Sequence, residues 1–196
     1  MFYSLPTSVD LNGEEWPNRA DYRAVLDICA ALSDPEWSDQ EKVLAALTAF
    51  YPGFDRMPPA LYEDALKACF RFINLGTDEK GKKRPKLMDW EQDAPFIFSA
   101  VNRIAGREVR AIPYDDGMVT ETAGLHWYTF LGYYYEIGDC AFAQIVGIRN
   151  KQKRGKRLEK HEQAFYRENR EIVDLKSRYT DEQADFLARL AKKGGA

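Results

Sequence analysis

The segment from Leu125 to Tyr135, LHWYTFLGYYY, constrains the fold of this chain most, because it contains no aspartate, glutamate, lysine or arginine. With its flanking residues it is long enough for a helix, and a helix that is apolar on nearly all sides belongs at the centre of a domain. A buried β-strand is the competing interpretation, since aromatic residues are also common in strands. Either way, the rest of the chain must pack around this segment.

Apolar residues at helical spacing predict that most of the other elements are helices. Asp21 is the predicted N-cap of the first of them, and Ser38 with Glu41 has the form of a capping box at the start of the second. The Pro58-Pro59 pair introduces a third helix. A fourth is predicted from about residue 89, provided that Pro95 lies in its first turn, where proline is tolerated.

Near the N-terminus, the Asn12-Gly13 pair separates two short segments in which Val9, Leu11 and Trp16 would supply one buried face. Asparagine and glycine best tolerate the positive φ angles of a type I′ turn, so the segments predict a β-hairpin. A hairpin of this size is marginal alone and must lie against other elements. The predicted fold class is therefore all-α, with a short N-terminal β-hairpin.

The composition changes after Arg149, where a strongly basic stretch, 151–160, leads into a long polar helix and then a short last helix from Thr180. The polar helix has a narrow apolar stripe, formed by Leu158, Phe165, Ile172 and Leu175. We therefore predict two parts. Residues 1–149 form a helical domain with two halves separated by a loop at 77–88, and residues 150–196 form a C-terminal helical appendage. A stripe this narrow usually docks on a partner or on a second subunit.

Composition argues against several classes of function. The formal net charge is -3 and the pI is about 5.6, so no overall charge attracts the chain to nucleic acid or anionic lipid. No apolar run approaches the roughly 18 residues of a membrane helix, and no signal-peptide pattern is visible. The three cysteines are scattered, which favours a reducing compartment and a cytoplasmic protein.

The sequence contains no recognisable catalytic or cofactor-binding motif. It has no glycine-rich phosphate loop, and its two histidines lie far from each other and from any cysteine pair, unlike the ligands of a zinc site. His126 is interpreted as a hydrogen-bonded core histidine rather than a catalytic or metal-binding one. Asp89, Glu91 and Asp93 are interpreted as favourable charges at a helix N-terminus. We therefore predict no enzyme, no cofactor and no metal.

Two basic runs, 80–86 and 149–157, are the features that would favour a nucleic-acid-binding accessory protein. Phosphate binding requires lysine and arginine on one surface, and single strands usually also need aromatic residues. Neither run contains an aromatic residue, so solvated loops are the preferred interpretation. Nucleic acid remains an alternative partner.

Several stretches, taken in order, resemble a bacteriophage family known by a gene-product number and encoded in the tail operons of long-tailed phages. They are LPTSVDLNGEEWPNRADYR at 5–23, SDQEKVLAALTAFYP at 38–52, ALKACFRFINLG at 65–76, MDWEQDAPFIFSAVNRIAG from Met88, LHWYTFLGYYYEIGD from Leu125, and AQIVGIRNK. The resemblance covers roughly the first four-fifths of the chain. It rests on the order and spacing of these stretches, since no single motif is diagnostic.

The resemblance implies a tail assembly chaperone similar to the lambda-type G and GT proteins. Such proteins are expected to keep the tape measure protein soluble and to help tail tube subunits assemble around it. They work in the host cytoplasm and are usually left out of the mature virion. The family implies no catalytic residue. A structural tail or connector component is the alternative within the same setting, and a homo-oligomer is compatible with either.

Aromatic residues and arginine are the usual anchors of protein–protein contacts, and core packing is the competing role for each of them. The predicted partner-binding residues are Trp90, Trp127, Tyr128, Tyr133, Tyr134 and Arg149.

Overall fold

The computed structural model describes residues 4–77 and 85–176, which form a mainly helical protein with one N-terminal β-hairpin, as predicted. The strands are β1 (Ser8–Leu11) and β2 (Glu14–Pro17). The helices are α1 (Tyr22–Ser33), α2 (Asp39–Phe50), α3 (Tyr62–Ile73), α4 (Ala94–Ala105), α5 (Trp127–Tyr135), α6 (Ala141–Lys153), α7 (Lys160–Glu168) and α8 (Arg170–Val173). Short 3₁₀ turns lie at Phe54–Arg56, Pro59–Leu61 and Val109–Ala111.

The predicted hairpin is confirmed, including its turn. The strands pair antiparallel with Val9 opposite Trp16, and Asn12 and Gly13 have φ angles of 56° and 88°. Leu11 and Trp16 are buried in the main hydrophobic core, and β1 lies beside α3. The hairpin therefore gains its stability from the helices that it covers.

Side-chain capping interactions mark the starts of α1 and α2. The Asp21 carboxylate accepts a hydrogen bond from the backbone of the first turn of α1, and both hydrogen bonds of the Ser38–Glu41 capping box are present. Pro95 lies in the first turn of α4, as expected. That helix begins at Ala94, later than predicted, because residues 89–93 form a turn in which Asp89 accepts hydrogen bonds from two backbone N–H groups.

The aromatic segment forms the central helix α5, so the strand interpretation is wrong. Phe130 is fully buried, and its ring stacks on Tyr22 of α1 with centroids 4.5 Å apart. Burial does not extend around the whole helix, however. Tyr135, at its C-terminal end, is 65% exposed. The apolar composition predicted a central position correctly but overstated how much of the helix is enclosed.

The region after Phe142 differs from the prediction in two ways. Helix α6 runs to Lys153, so the first part of the second basic run is helical rather than a loop. The predicted long polar helix is replaced by the short helices α7 and α8, which meet at Asn169. Residues 158–176, which we name the C-terminal strap, fold back so that Val173 packs with residues of α6 in a small second core.

Some predictions lie outside the described residues, namely the last helix from Thr180 and most of the loop at 77–88. The division between residues 149 and 150 stays a prediction, and α6 is continuous across it.

Candidate partner-binding surface

A cleft of about 390 Å³ lies between α1 and the segment 86–91 that precedes α4. One wall is formed by Leu26, Cys29 and Ala30 of α1, and the opposite wall by Met88 and Trp90. These five side chains are apolar, so water is displaced favourably if an apolar group enters.

An aromatic cluster behind the cleft holds Trp90 in place. The Trp90 ring lies 5.4 Å from the ring of Tyr134 and 6.0 Å from that of Trp127, measured between centroids. The Tyr134 hydroxyl also donates a hydrogen bond to the Met88 sulfur at 3.1 Å. Contacts with α5 therefore hold both Met88 and Trp90 in position, so tertiary packing defines the shape of the cleft.

Not every charged group around the cleft is paired with a group in residues 4–77 or 85–176. Lys86 pairs with Asp89 at 2.7 Å. Asp27, which also lines the cleft, has no hydrogen-bond or ion-pair partner among the described residues. Although Asp27 is exposed, its position against the cleft wall partly desolvates the carboxyl group and raises its pKa.

The six predicted anchors do not form one surface. Trp90 and Tyr134 lie at the cleft or directly behind it. Trp127 is buried, and its indole N–H donates to the backbone oxygen of Ile73 at 2.9 Å. Tyr128 and Tyr133 are half-buried elsewhere on α5. Arg149 is also buried, so neither it nor Trp127 presents surface to a partner in this conformation.

All five N–H donors of Arg149 are used inside the protein. Three reach the backbone oxygens of Leu87, Ile172 and Val173, and two reach the carboxylate of Asp93. Asp93 does lie at the N-terminus of α4 as predicted, but its carboxylate pairs with Arg149. No local sequence signal could have identified this pair, because its members are 56 positions apart.

His126 is a hydrogen-bonded core residue, as interpreted from the sequence. Its Nδ1 accepts a hydrogen bond from the backbone N–H of Tyr128 at 3.0 Å, so the ring proton is on Nε2, which donates to the Pro6 oxygen at 2.8 Å. Burial lowers the pKa of His126. The neutral ring thus caps α5 and ties the N-terminal segment to it.

Other side-chain chemistry is sparse in the part of the chain that the structure describes. Within residues 4–77 and 85–176 no group of three or more histidine, cysteine, aspartate or glutamate side chains is placed to hold a metal ion. Burial raises the pKa of the Cys29 thiol to about 11 and that of the Cys69 thiol to about 12. None of the described helices has the length and apolar character needed to cross a membrane.

Comparison with known proteins gives one positive finding. A family model described as "Bacteriophage Gp15 protein" matches residues 1–175, which include the hairpin, the eight described helices and most of the C-terminal strap. Neither the curated proteins nor the solved structures yield a match to the chain.

Proposed function

The chain belongs to the bacteriophage Gp15 protein family, and from this premise we propose that it is a tail assembly chaperone that acts by binding another protein. Its partners in this proposal are the tape measure protein and the tail tube protein. It works in the host cytoplasm during assembly and is left out of the finished virion. The proposal assigns it no enzymatic reaction.

The observation that carries the proposal is the family match over residues 1–175, since the resemblance of the sequence to tail-operon proteins implies this role. The exposed apolar side chains support a binding function. Trp37, Leu44 and Phe70 are 42%, 46% and 38% exposed, and the cleft beside Trp90 adds an apolar concavity. Exposed aromatic and aliphatic side chains are available as anchors when a partner covers them.

A helical partner matches these features. A tape measure protein is expected to expose long helices with apolar stripes, and such helices bind in apolar grooves through side chains at positions i, i+3, i+4 and i+7. Covering the stripe would keep the partner from associating with itself until tail tube subunits replace the chaperone.

The direct test is co-expression of the full chain with the tape measure protein of the same phage. We expect the tape measure protein to be soluble and to co-purify with the chain, and to precipitate when the chain is omitted. A phage that lacks the gene should fail to build tails. Unchanged solubility and normal tail formation without the chain would refute the chaperone role.

Mass spectrometry of purified virions separates the chaperone from a structural component. We expect no peptides of this chain in the particles. Peptides in a fixed ratio to the tail tube protein would instead support the structural tail or connector alternative.

A further inference from the structure

The α1 wall of the cleft has the spacing of a helix-binding surface. Leu26, Cys29, Ala30 and Ser33 line it at positions i, i+3, i+4 and i+7, so they form one stripe along the helix. That stripe is about 10 Å long, because a helix rises about 1.5 Å per residue. With Trp90 and Met88 opposite, the result is a groove about two helical turns in length.

The charge at this groove indicates which kind of helix fits it. The Asp27 carboxylate is on the same helix as the stripe and has no partner among the described residues, whereas the Lys86 ammonium group is already paired with Asp89. A lysine or arginine carried by the occupant would complete an ion pair with Asp27. Such a pair becomes stronger as the occupant excludes water from the groove.

We infer that this groove receives an amphipathic helix of the partner protein, with aliphatic side chains against Leu26, Ala30 and Trp90 and a lysine or arginine beside Asp27. The inference rests on the proposed function, because it identifies the surface through which the chaperone would hold its partner. It adds the chemical character of the segment that is held.

Two synthetic peptides serve as probes. Both carry leucines at positions i, i+3, i+4 and i+7, and the remaining positions are lysine in one peptide and glutamate in the other. Fluorescence anisotropy with the full chain is expected to show tighter binding of the lysine peptide. The variant Asp27→Asn should weaken lysine-peptide binding about two- to fivefold, the usual contribution of one partly exposed ion pair. The variant Ala30→Gln should weaken both peptides, because its longer side chain fills the groove.

Matched controls distinguish the groove from the rest of the surface. Asp55→Asn removes an exposed carboxylate outside the groove. Ala164→Gln is the control for Ala30→Gln, because it places a glutamine at an exposed position of α7. Neither should change peptide affinity, and circular dichroism should show that all four variants are folded. Equal affinities for Asp27→Asn, Ala30→Gln and the unchanged chain would overturn the inference.

A further comparison separates this inference from the chaperone role. The tape measure protein should precipitate when the chain is omitted. If the Ala30→Gln variant nevertheless keeps it as soluble as the unchanged chain does, the chaperone role stands and the groove is not the binding surface. Sedimentation tests the other occupant, a second copy of this chain. A dimer of the unchanged chain that Ala30→Gln converts to monomer would also overturn the inference.

Discussion

The guanidinium group of Arg149 and the carboxylate of Asp93 form a buried ion pair with two hydrogen bonds, Nη1–Oδ2 of 2.7 Å and Nη2–Oδ1 of 3.0 Å. Their side chains are only 3% and 1% exposed. Arg149 lies on α6 and Asp93 immediately before α4, and the same guanidinium group holds the backbone of Ile172 and Val173. One side chain therefore joins α4, α6 and the C-terminal strap.

Replacing Arg149 by methionine is expected to lower the free energy of unfolding by about 3–5 kcal/mol, because the Asp93 carboxylate remains buried without its partner. Urea denaturation measures the change. The double variant Arg149→Met, Asp93→Leu should be less destabilised than Arg149→Met alone, since no charge is left buried. A double variant that is less stable than the single one would contradict this account.

The matched control is Arg110→Met, which removes the exposed Arg110–Glu108 pair and the contact of Arg110 with the Phe98 ring, and should lower the free energy of unfolding by no more than about 1 kcal/mol. The C-terminal strap provides a second readout. Because Arg149 holds it through two carbonyl groups, trypsin should cleave residues 158–176 faster in Arg149→Met than in the Arg110 control.

We expect the protein to lose stability in mild acid because of the buried His126. Burial lowers the pKa of His126 in the folded protein from its ordinary value of 6.5. At a pH between these two pKa values, the unfolded chain binds a proton at His126 and the folded protein does not. The free energy of unfolding should therefore decrease as the pH falls below about 6.5. The variant His126→Asn, which retains an N-cap side chain, should lack this component of the pH dependence.

His161→Asn is the control for this measurement, because the His161 side chain is 72% exposed. This variant retains His126 and should still lose stability as the pH falls below about 6.5. A profile of His126→Asn that is equally steep between pH 6.5 and pH 5 would show that another group causes the loss.

Replacing Gly132 or Gly106 by alanine should change the free energy of unfolding in opposite directions. A Cβ atom would meet nothing within 4 Å at either Gly132 or Gly106. Gly132 lies inside α5, where alanine favours the helix, so Gly132→Ala should raise the free energy of unfolding by about 0.5–1 kcal/mol. Gly106 ends α4 at a φ angle of 67°, and Gly106→Ala should lower it by about 1 kcal/mol through backbone strain. Thermal denaturation of both variants tests the difference, and shifts of the same sign would contradict it.

Cysteine reactivity should differ sharply between the folded and unfolded chain. With a pKa of about 11 instead of 9.0, Cys29 has about a hundredfold less thiolate near pH 8, and Cys69 has less still. Both should be alkylated by iodoacetamide at least about tenfold more slowly in buffer than in urea, because the greater nucleophilicity of a high-pKa thiolate offsets only part of the lost thiolate. Peptide mass spectrometry follows the labelling. Cys140, which is partly exposed immediately before α6, should be labelled before the buried Cys69. Rapid labelling of Cys69 in buffer would show that its helix opens readily.

The elements predicted correctly from the sequence depend on interactions between residues close together in the chain. The Asn12-Gly13 turn, the Ser38–Glu41 capping box and the position of Pro95 each involve no more than a few neighbouring residues. Their backbone preferences and hydrogen bonds are nearly the same in any fold, so residue types alone determined them.

The candidate site could be predicted only in part. Aromatic residues and arginine were predicted as partner-binding anchors from residue type alone, and the sequence could not show which of them would face outward. Packing placed Trp90 at a cleft and enclosed Trp127 and Arg149. The long polar helix was predicted wrongly for the same reason: the chain breaks at Asn169 where Val173 turns into the second core.

Residue types along the chain thus determined the hairpin and the starts of α1 and α2, with their caps at Asp21 and Ser38, because these depend on short-range preferences. Tertiary structure alone decided the groove beside Trp90, the contact of His126 with Pro6 across 120 positions, and the Arg149–Asp93 pair. Burial and pairing of a side chain depend on which distant segments pack against it, and that depends on the free energy of the whole packed chain.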